Sequence, residues 1–176
     1  MPASASPARG RKRRTGAALA RRLRLFPALC LPTNRRVFLP ALAVLAADQA
    51  TKWFALQYLS RVPTIPVVPG LFHLTFVLNS GVAFGFFQGH GLWITLGTLA
   101  ILALLFRTTL RPEPGKWVPV CLGLILGGAV GNLIDRLRFG SVVDFLDFRI
   151  WPVFNLADSC ITVGAFVLAV SFWRKN

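Results

Sequence analysis

The sequence predicts an all-α integral membrane protein with four transmembrane helices, and three observations carry that expectation. The chain of 176 residues is 55% hydrophobic with a mean hydropathy of +0.60, too apolar for an ordinary soluble domain. It contains four apolar runs, each near or above the roughly 20 residues a helix needs to cross a hydrocarbon core. Its net charge of +14 is concentrated at one end, since ten of the twenty Lys and Arg precede residue 37. Basic residues ahead of an apolar span hold that end in the cytosol and meet anionic lipid headgroups. No recognition motif accompanies the charge, so no nucleic-acid partner is expected.

Taken in order, residues 1–36 read as a basic, disordered cytosolic arm, with "RGRKRR", "ARRLR" and "TNRR". Within it "LFPALCL" is short, and no A-x-A-like site follows in a suitable place, so a cleaved signal peptide is not expected. An Arg-rich, Ser-containing arm also admits a transit peptide as the weaker reading. Residues 37–176 form the membrane domain. Its first span is 37–57, its second about 91–110, its third about 117–137 and its fourth about 153–173. With the arm inside, the 110–116 loop and the C-terminus also fall inside, carrying Arg111 and Lys116, then Arg174 and Lys175. Arg61, Arg136, Arg138 and Arg149 stay outside, mostly beside acidic residues. Between the first two spans, "VPTIPVVPGLFHLTFVLNSGVAFGFFQGHG" is rich in Pro, Gly and β-branched or aromatic residues. It predicts a small extracytoplasmic β-element or a re-entrant segment, with "LFHLTFVL" as a short strand and "NSG" as a turn. No internal repeat supports an inverted-repeat transporter.

Thiol and imidazole chemistry finds little support. Cys30, Cys121 and Cys160 are odd in number and read as free, packed thiols. No CxxC or HExxH occurs, and His73 and His90 are isolated, so no metal or cofactor is expected.

The acids are the informative residues. There are six: Asp48, Glu113, Asp135, Asp144, Asp147 and Asp158. On this topology only Glu113 is cytosolic. Asp48 lies in the outer half of the first span, Asp135 ends the third and Asp158 begins the fourth, while Asp144 and Asp147 lie in the loop joining those two. A charge in a bilayer costs about 2.5–3.5 kcal/mol on insertion scales, so such residues are paired or functional. Asp48 and Lys52 share a helical face, as do Asn132 and Arg136, and Asn155 and Asp158. Each has a plain structural reading: Asp48 with Lys52 as an ion pair, Asp135 holding Arg136, "NSGVAFG" as loop architecture with Asn79 free to donate to a substrate carbonyl, and Asp147 with Arg149 as a solvated interfacial pair. For Asp144 and Asp158 the structural and catalytic readings both stand. Pro152 can turn the chain so that the two face each other. Two close carboxylates share a proton, and one can activate water while the other protonates a carbonyl or leaving amine, without a metal.

The motifs "DQATK" at 48–52, "NSGVAFG" at 79–85, "GNLIDR" at 131–136, "VVDF" at 142–145 and "FNLAD" at 154–158 resemble, in order, those of the bacterial lipoprotein signal peptidases, the type II signal peptidases. The resemblance covers about residues 37–173. It implies four transmembrane helices with a small extracytoplasmic β-cradle, both termini cytosolic, in the bacterial cytoplasmic (inner) membrane. It implies cleavage of the signal peptide from diacylglyceryl-modified prolipoproteins just before the lipidated cysteine, by an aspartate dyad. Motif matching puts that dyad on Asp144 and Asp158, and supporting polar residues on Asp48, Lys52, Asn79, Gly81, Asn132, Arg136 and Asn155. The implied partners are lipidated prolipoproteins and membrane lipids, with the enzyme acting as a monomer. Two departures stand out: the arm before "DQ" is long for the family, and the stretch from Asp144 to Asp158 is short. Two rival classes are a proton or ion transporter using Asp48, Asp135 and Asp158 as relays, which the clustering of acids at one face opposes, and a membrane scaffold whose acids only pair with arginines.

Overall fold

The structure is a computed structural model that describes residues 35–81, 91–109 and 117–173. The expected arm up to residue 34, the second half of "NSGVAFG", the 110–116 loop with Glu113, and the final basic residues lie outside them.

Among the described residues there are four α-helices: α1 (Arg35–Tyr58), α2 (Gly91–Thr109), α3 (Val118–Phe139) and α4 (Leu156–Trp173). Three of them, α2, α3 and α4, are long and apolar enough throughout to cross a membrane. The 24-residue α1 carries Arg35, Arg36, Asp48 and Lys52, and its first turn begins inside the expected arm. Its buried residues, Val37, Ala41, Val44, Asp48, Lys52 and Ala55, recur at three or four positions and form one stripe. The opposite side exposes Leu39, Leu42, Trp53, Phe54 and Tyr58. Two charges of this helix, Asp48 and Lys52, thus face protein, while its largest apolar side chains face away.

The helix α3 is central, packing against α1, α2 and α4. Glycine makes this possible. A Cβ at Gly123 would strike the Val37 carbonyl, one at Gly127 the Ala41 carbonyl and one at Gly131 the Asp48 carboxylate. These three glycines, each four residues apart, form the face against α1. Gly128 similarly admits the Ala157 carbonyl of α4. Close backbone approach substitutes for the hydrophobic drive that lipid does not supply.

A three-stranded antiparallel sheet, ordered β1-β2-β3, joins these helices: β1 is Ile65–Val68, β2 is Phe72–Asn79 and β3 is Val142–Asp147. A 3₁₀ turn (Leu59–Arg61) leads from α1 to it. Pro69 and Gly70 turn β1 into β2, Gly70 taking a φ of 78° and Leu71 donating to the Val68 carbonyl at 3.0 Å, the geometry that favours Pro followed by Gly. The expected strand at "LFHLTFVL" is β2. Asp144 and Asp147, expected in a loop, instead lie on β3. The sheet packs Val143 and Phe145 of β3, with Leu74 and Phe76 of β2 beside them, against Ala55 of α1 and Leu59 of the 3₁₀ turn. A bulge between Leu74 and Val77 shifts the pairing with β3, after which Val77 lies opposite Asp144 and Asn79 opposite Val142. Gly140, at a φ of 68°, ends α3 and returns its N–H to the Arg136 carbonyl at 3.0 Å, so the chain turns directly into β3.

Candidate active site

The site lies where β3 and the start of α4 meet the end of α3. Asn155 caps α4 on both sides of its first turn. Its Oδ1 accepts from the Asp158 N–H at 2.9 Å, and the Asp158 carboxylate accepts from the Asn155 N–H at 3.4 Å. This reciprocal capping satisfies donors that a helix start leaves open and aims the Asp158 side chain back over the helix end. Asn155 thus stands before the helix rather than on its face, as spacing had suggested.

The same Asn155 reaches the other carboxylate. Its Nδ2 donates to Asp144 Oδ1 at 2.6 Å, and Asn79 Nδ2 donates to Asp144 Oδ2 at 2.9 Å. Asn79 is itself fixed by Gly81, whose N–H donates to Asn79 Oδ1 at 3.0 Å. Asp158 Oδ1 accepts from Asn132 Nδ2 at 2.7 Å. Each carboxylate is therefore held by two donors, and Asn155 serves both.

Behind Asn132 sits a buried ammonium. Lys52 Nζ donates to Asn132 Oδ1 at 2.8 Å and pairs with Asp48 at 3.0 Å and with Asp135 at 2.8 Å. Three donors meet three acceptors, with all four side chains buried. The carboxylates have further donors: Asp48 Oδ1 accepts from the Ala157 N–H at 3.0 Å, and Asp135 Oδ2, the oxygen paired with Lys52, also accepts from the Val143 N–H at 3.1 Å. Gln49 donates to Asp135 Oδ1 at 3.2 Å. The expected Asp48–Lys52 pair is present. The expected pairing of Asp135 with Arg136 is not: adjacent residues on a helix point about 100° apart, and Asp135 turns inward to Lys52. Arg136, half-buried, donates to the Asn132 carbonyl at 3.4 Å and feels the charges of Asp158, Asp144 and Asp135.

Both aspartates open onto one cavity of about 760 Å³, whose other polar lining includes Asn79, Asn132, Arg136 and Ser159. Its walls are mostly apolar: Val142, Phe148, Pro152, Phe154 and Ile161 among them. Asp48, Lys52 and Asn155 stand behind that lining. Burial pushes the Asp144 carboxyl up to about 7, and the Asp158 charge adds to the rise, against the opposing donors Asn79 and Asn155 and the Lys52 charge. Asp147 is separate. It binds Thr75 Oγ1 at 2.8 Å and the Arg149 guanidinium at 3.2 Å. Burial of Asp147 works against ionisation, but the Thr75 and Arg149 donors outweigh it and hold the carboxyl below its usual range. The expected solvated pair is thus solvated on one side only, since Asp147 is buried. Among the described residues, no cluster of three His, Cys, Asp or Glu is arranged to hold a metal ion.

Comparison with known proteins places the chain in a family. The profile of the signal peptidase (SPase) II family matches residues 40–174. The chain belongs to the signal peptidase II family. A lipoprotein signal peptidase of Halothermothrix orenii is 42% identical over 80% of this chain and 97% of its own. That of Pelotomaculum thermopropionicum is 48% identical over 76% of this chain and 88% of its own. A solved structure described as a bacterial membrane enzyme, determined by the in meso method at 2.3 Å, superposes with a TM-score of 0.71 at 30% identity, covering 77% of this chain and 86% of that one. The family match takes in most of α1, the other three helices, the sheet and every residue of the site. Gln49 and Asp135 are members of the site network that motif matching did not select, although both stand inside the quoted motifs.

Proposed function

We propose that this signal peptidase II is a membrane-embedded aspartic endopeptidase. It cleaves the signal peptide from diacylglyceryl-modified prolipoproteins just before the lipidated cysteine, with Asp144 and Asp158 as its catalytic pair. The observation that carries this reading is the pair itself: two carboxylates, each fixed by amide donors, facing one largely apolar cavity.

The chemistry follows from that environment. With Asp144 raised to about 7, the two carboxyls hold one proton between them near neutrality. The ionised member takes a proton from water as the water oxygen attacks the scissile carbonyl carbon. The protonated member gives its proton to the carbonyl oxygen, so a neutral tetrahedral diol forms. Proton return to the leaving amine nitrogen, with collapse of the diol, breaks the C–N bond and restores the pair. Asn132, Asn155 and Asn79 hold the carboxylates in place, and the Arg136 guanidinium stabilises negative charge that develops at the carbonyl oxygen. The apolar walls admit the signal peptide and acyl chains. In this reading all four helices span the bacterial inner membrane, both termini are cytosolic, and the sheet forms an extracytoplasmic cradle at the level of the scissile bond. The protein acts as a monomer.

The test is cleavage of a purified diacylglyceryl-modified prolipoprotein, followed by mass spectrometry of both products. Asp144→Asn and Asp158→Asn are each expected to lower kcat/KM by about a thousandfold or more. Cleavage retained by either variant would remove that residue from the pair.

A further inference from the structure

The turn from Phe148 to Pro152 takes no part in the proton transfers, yet Phe148, Ile150, Trp151 and Pro152 line the cavity. Its base is tightly held. Arg149 has a φ of 65°, a left-handed conformation uncommon for a residue with a Cβ. Asp147 fixes it there, accepting from the Arg149 backbone N–H at 2.8 Å and its guanidinium at 3.2 Å. The Phe148 ring lies between Phe72 and Phe154, at centroid distances of 4.9 and 5.9 Å. The side chains at the tip are exposed. Ile150 is 91% exposed and Trp151 57%.

A rigid turn that holds large apolar side chains outward is suited to hydrocarbon, not to water. The neighbouring surface supports this. Val163 of α4 lines the same cavity and is 54% exposed, and Phe166, three residues further along that membrane helix, is 69% exposed. The apolar wall thus continues from the turn to the exposed apolar flank of α4. The Arg149 side chain is half exposed, so the turn presents a guanidinium next in sequence to Ile150 and Trp151, a mix of cation and aromatic suited to a lipid–water boundary.

We propose that the Ile150–Trp151 tip is seated in the outer leaflet at the lipid–water boundary, as a positioning element that keeps the cavity mouth open to the bilayer. Acyl chains of a membrane-anchored substrate then slide to the aspartates without leaving hydrocarbon. The positioning role rests on the peptidase reading; the seat in the bilayer does not.

Two measurements separate them. An environment-sensitive fluorescent amino acid is placed at position 150 of the full chain in phosphatidylcholine–phosphatidylglycerol vesicles. Quenching by acyl-chain-brominated lipid is expected, and emission insensitive to the brominated lipid would overturn the bilayer seat. For cleavage of vesicle-embedded lipidated substrate, Ile150→Asp is expected to raise KM about tenfold with kcat within about twofold, while Ile150→Leu matches wild type. An unchanged KM in Ile150→Asp, or a fall in kcat alone, would overturn the positioning role. Failure of the wild type to cleave would overturn the peptidase reading and that role with it, while the quenching result still decides where the tip sits.

Discussion

Asn155 joins the two carboxylates through different parts of one residue: its amide donates to Asp144, while its backbone and Oδ1 cap the turn that carries Asp158. Truncation removes both functions. Asn155→Ala is expected to lower kcat by about ten- to a hundredfold and to lower stability by about 1 kcal/mol through the lost cap. Asp144 sets the pH dependence. Its folded pKa, about 7, lies above the ordinary carboxylate value, so the folded protein binds a proton that the unfolded chain releases. Its contribution to stability is therefore greatest below the ordinary carboxylate pKa and declines as pH rises toward 7. The difference in Tm between Asp144→Asn and wild type is expected to move in the variant's favour across that window, then level off. A difference that does not change with pH would contradict the raised value. In kinetics, kcat/KM is expected to fall above about pH 7 as the pair loses its shared proton. Asn79→Ala removes a donor that favours the Asp144 anion, so its basic limb moves to higher pH.

At the scale of elements, α3 approaches its neighbours through glycine, and that can be tested with a contrast. A Cβ at Gly127 meets the Ala41 carbonyl of α1, whereas one at Gly97 in α2 meets nothing within 4 Å. Gly127→Ala is expected to cost about 1–3 kcal/mol by forcing two backbones apart, while Gly97→Ala is neutral or slightly stabilising; thermal unfolding in one detergent compares them. The glycine rows at 123, 127 and 131 were visible in "GLILGGAVGN" as a four-residue repeat, but carry meaning only once a partner helix is known. The apolar helices were legible because hydropathy alone marks them, and β2 because "FHLTFVL" favours extended chain. Strand β1 was hidden by Pro66 inside it, and β3 by its two aspartates, which read as loop. Burial on nearly all of β3 leaves no alternation to detect, since one face packs the core and the other carries Asp144. The aspartate pair was legible through scarcity of acids and through motif order. The inward turn of Asp135 was not, because its partner Lys52 lies on a helix 83 positions earlier and sequence adjacency pointed to Arg136 instead.

Across the whole molecule, Lys52 connects what the site needs. Its ammonium on α1 binds Asp135 of α3, which also accepts from the backbone of β3, and Asp48, which accepts from the first turn of α4. Four elements therefore converge on one buried cation. Removing a single member of such a group costs more than the group contributes, because the partners stay buried and uncompensated. Lys52→Met leaves two carboxylates without their cation and is expected to destabilise the fold by about 3–5 kcal/mol. It also frees Asn132, whose Oδ1 accepts from both Lys52 and Asn155 and whose Nδ2 is thereby turned toward Asp158. These two consequences separate in a double variant. Adding Asp135→Asn to Lys52→Met removes one uncompensated charge, so part of the lost Tm is expected to return. It does nothing to restore the ammonium at Asn132, so kcat is expected to stay low. Recovery of kcat in step with Tm would show that Lys52 acts only as a structural cation; stability regained without activity is the signature of a residue that also orients the proposed pair, Asp144 and Asp158.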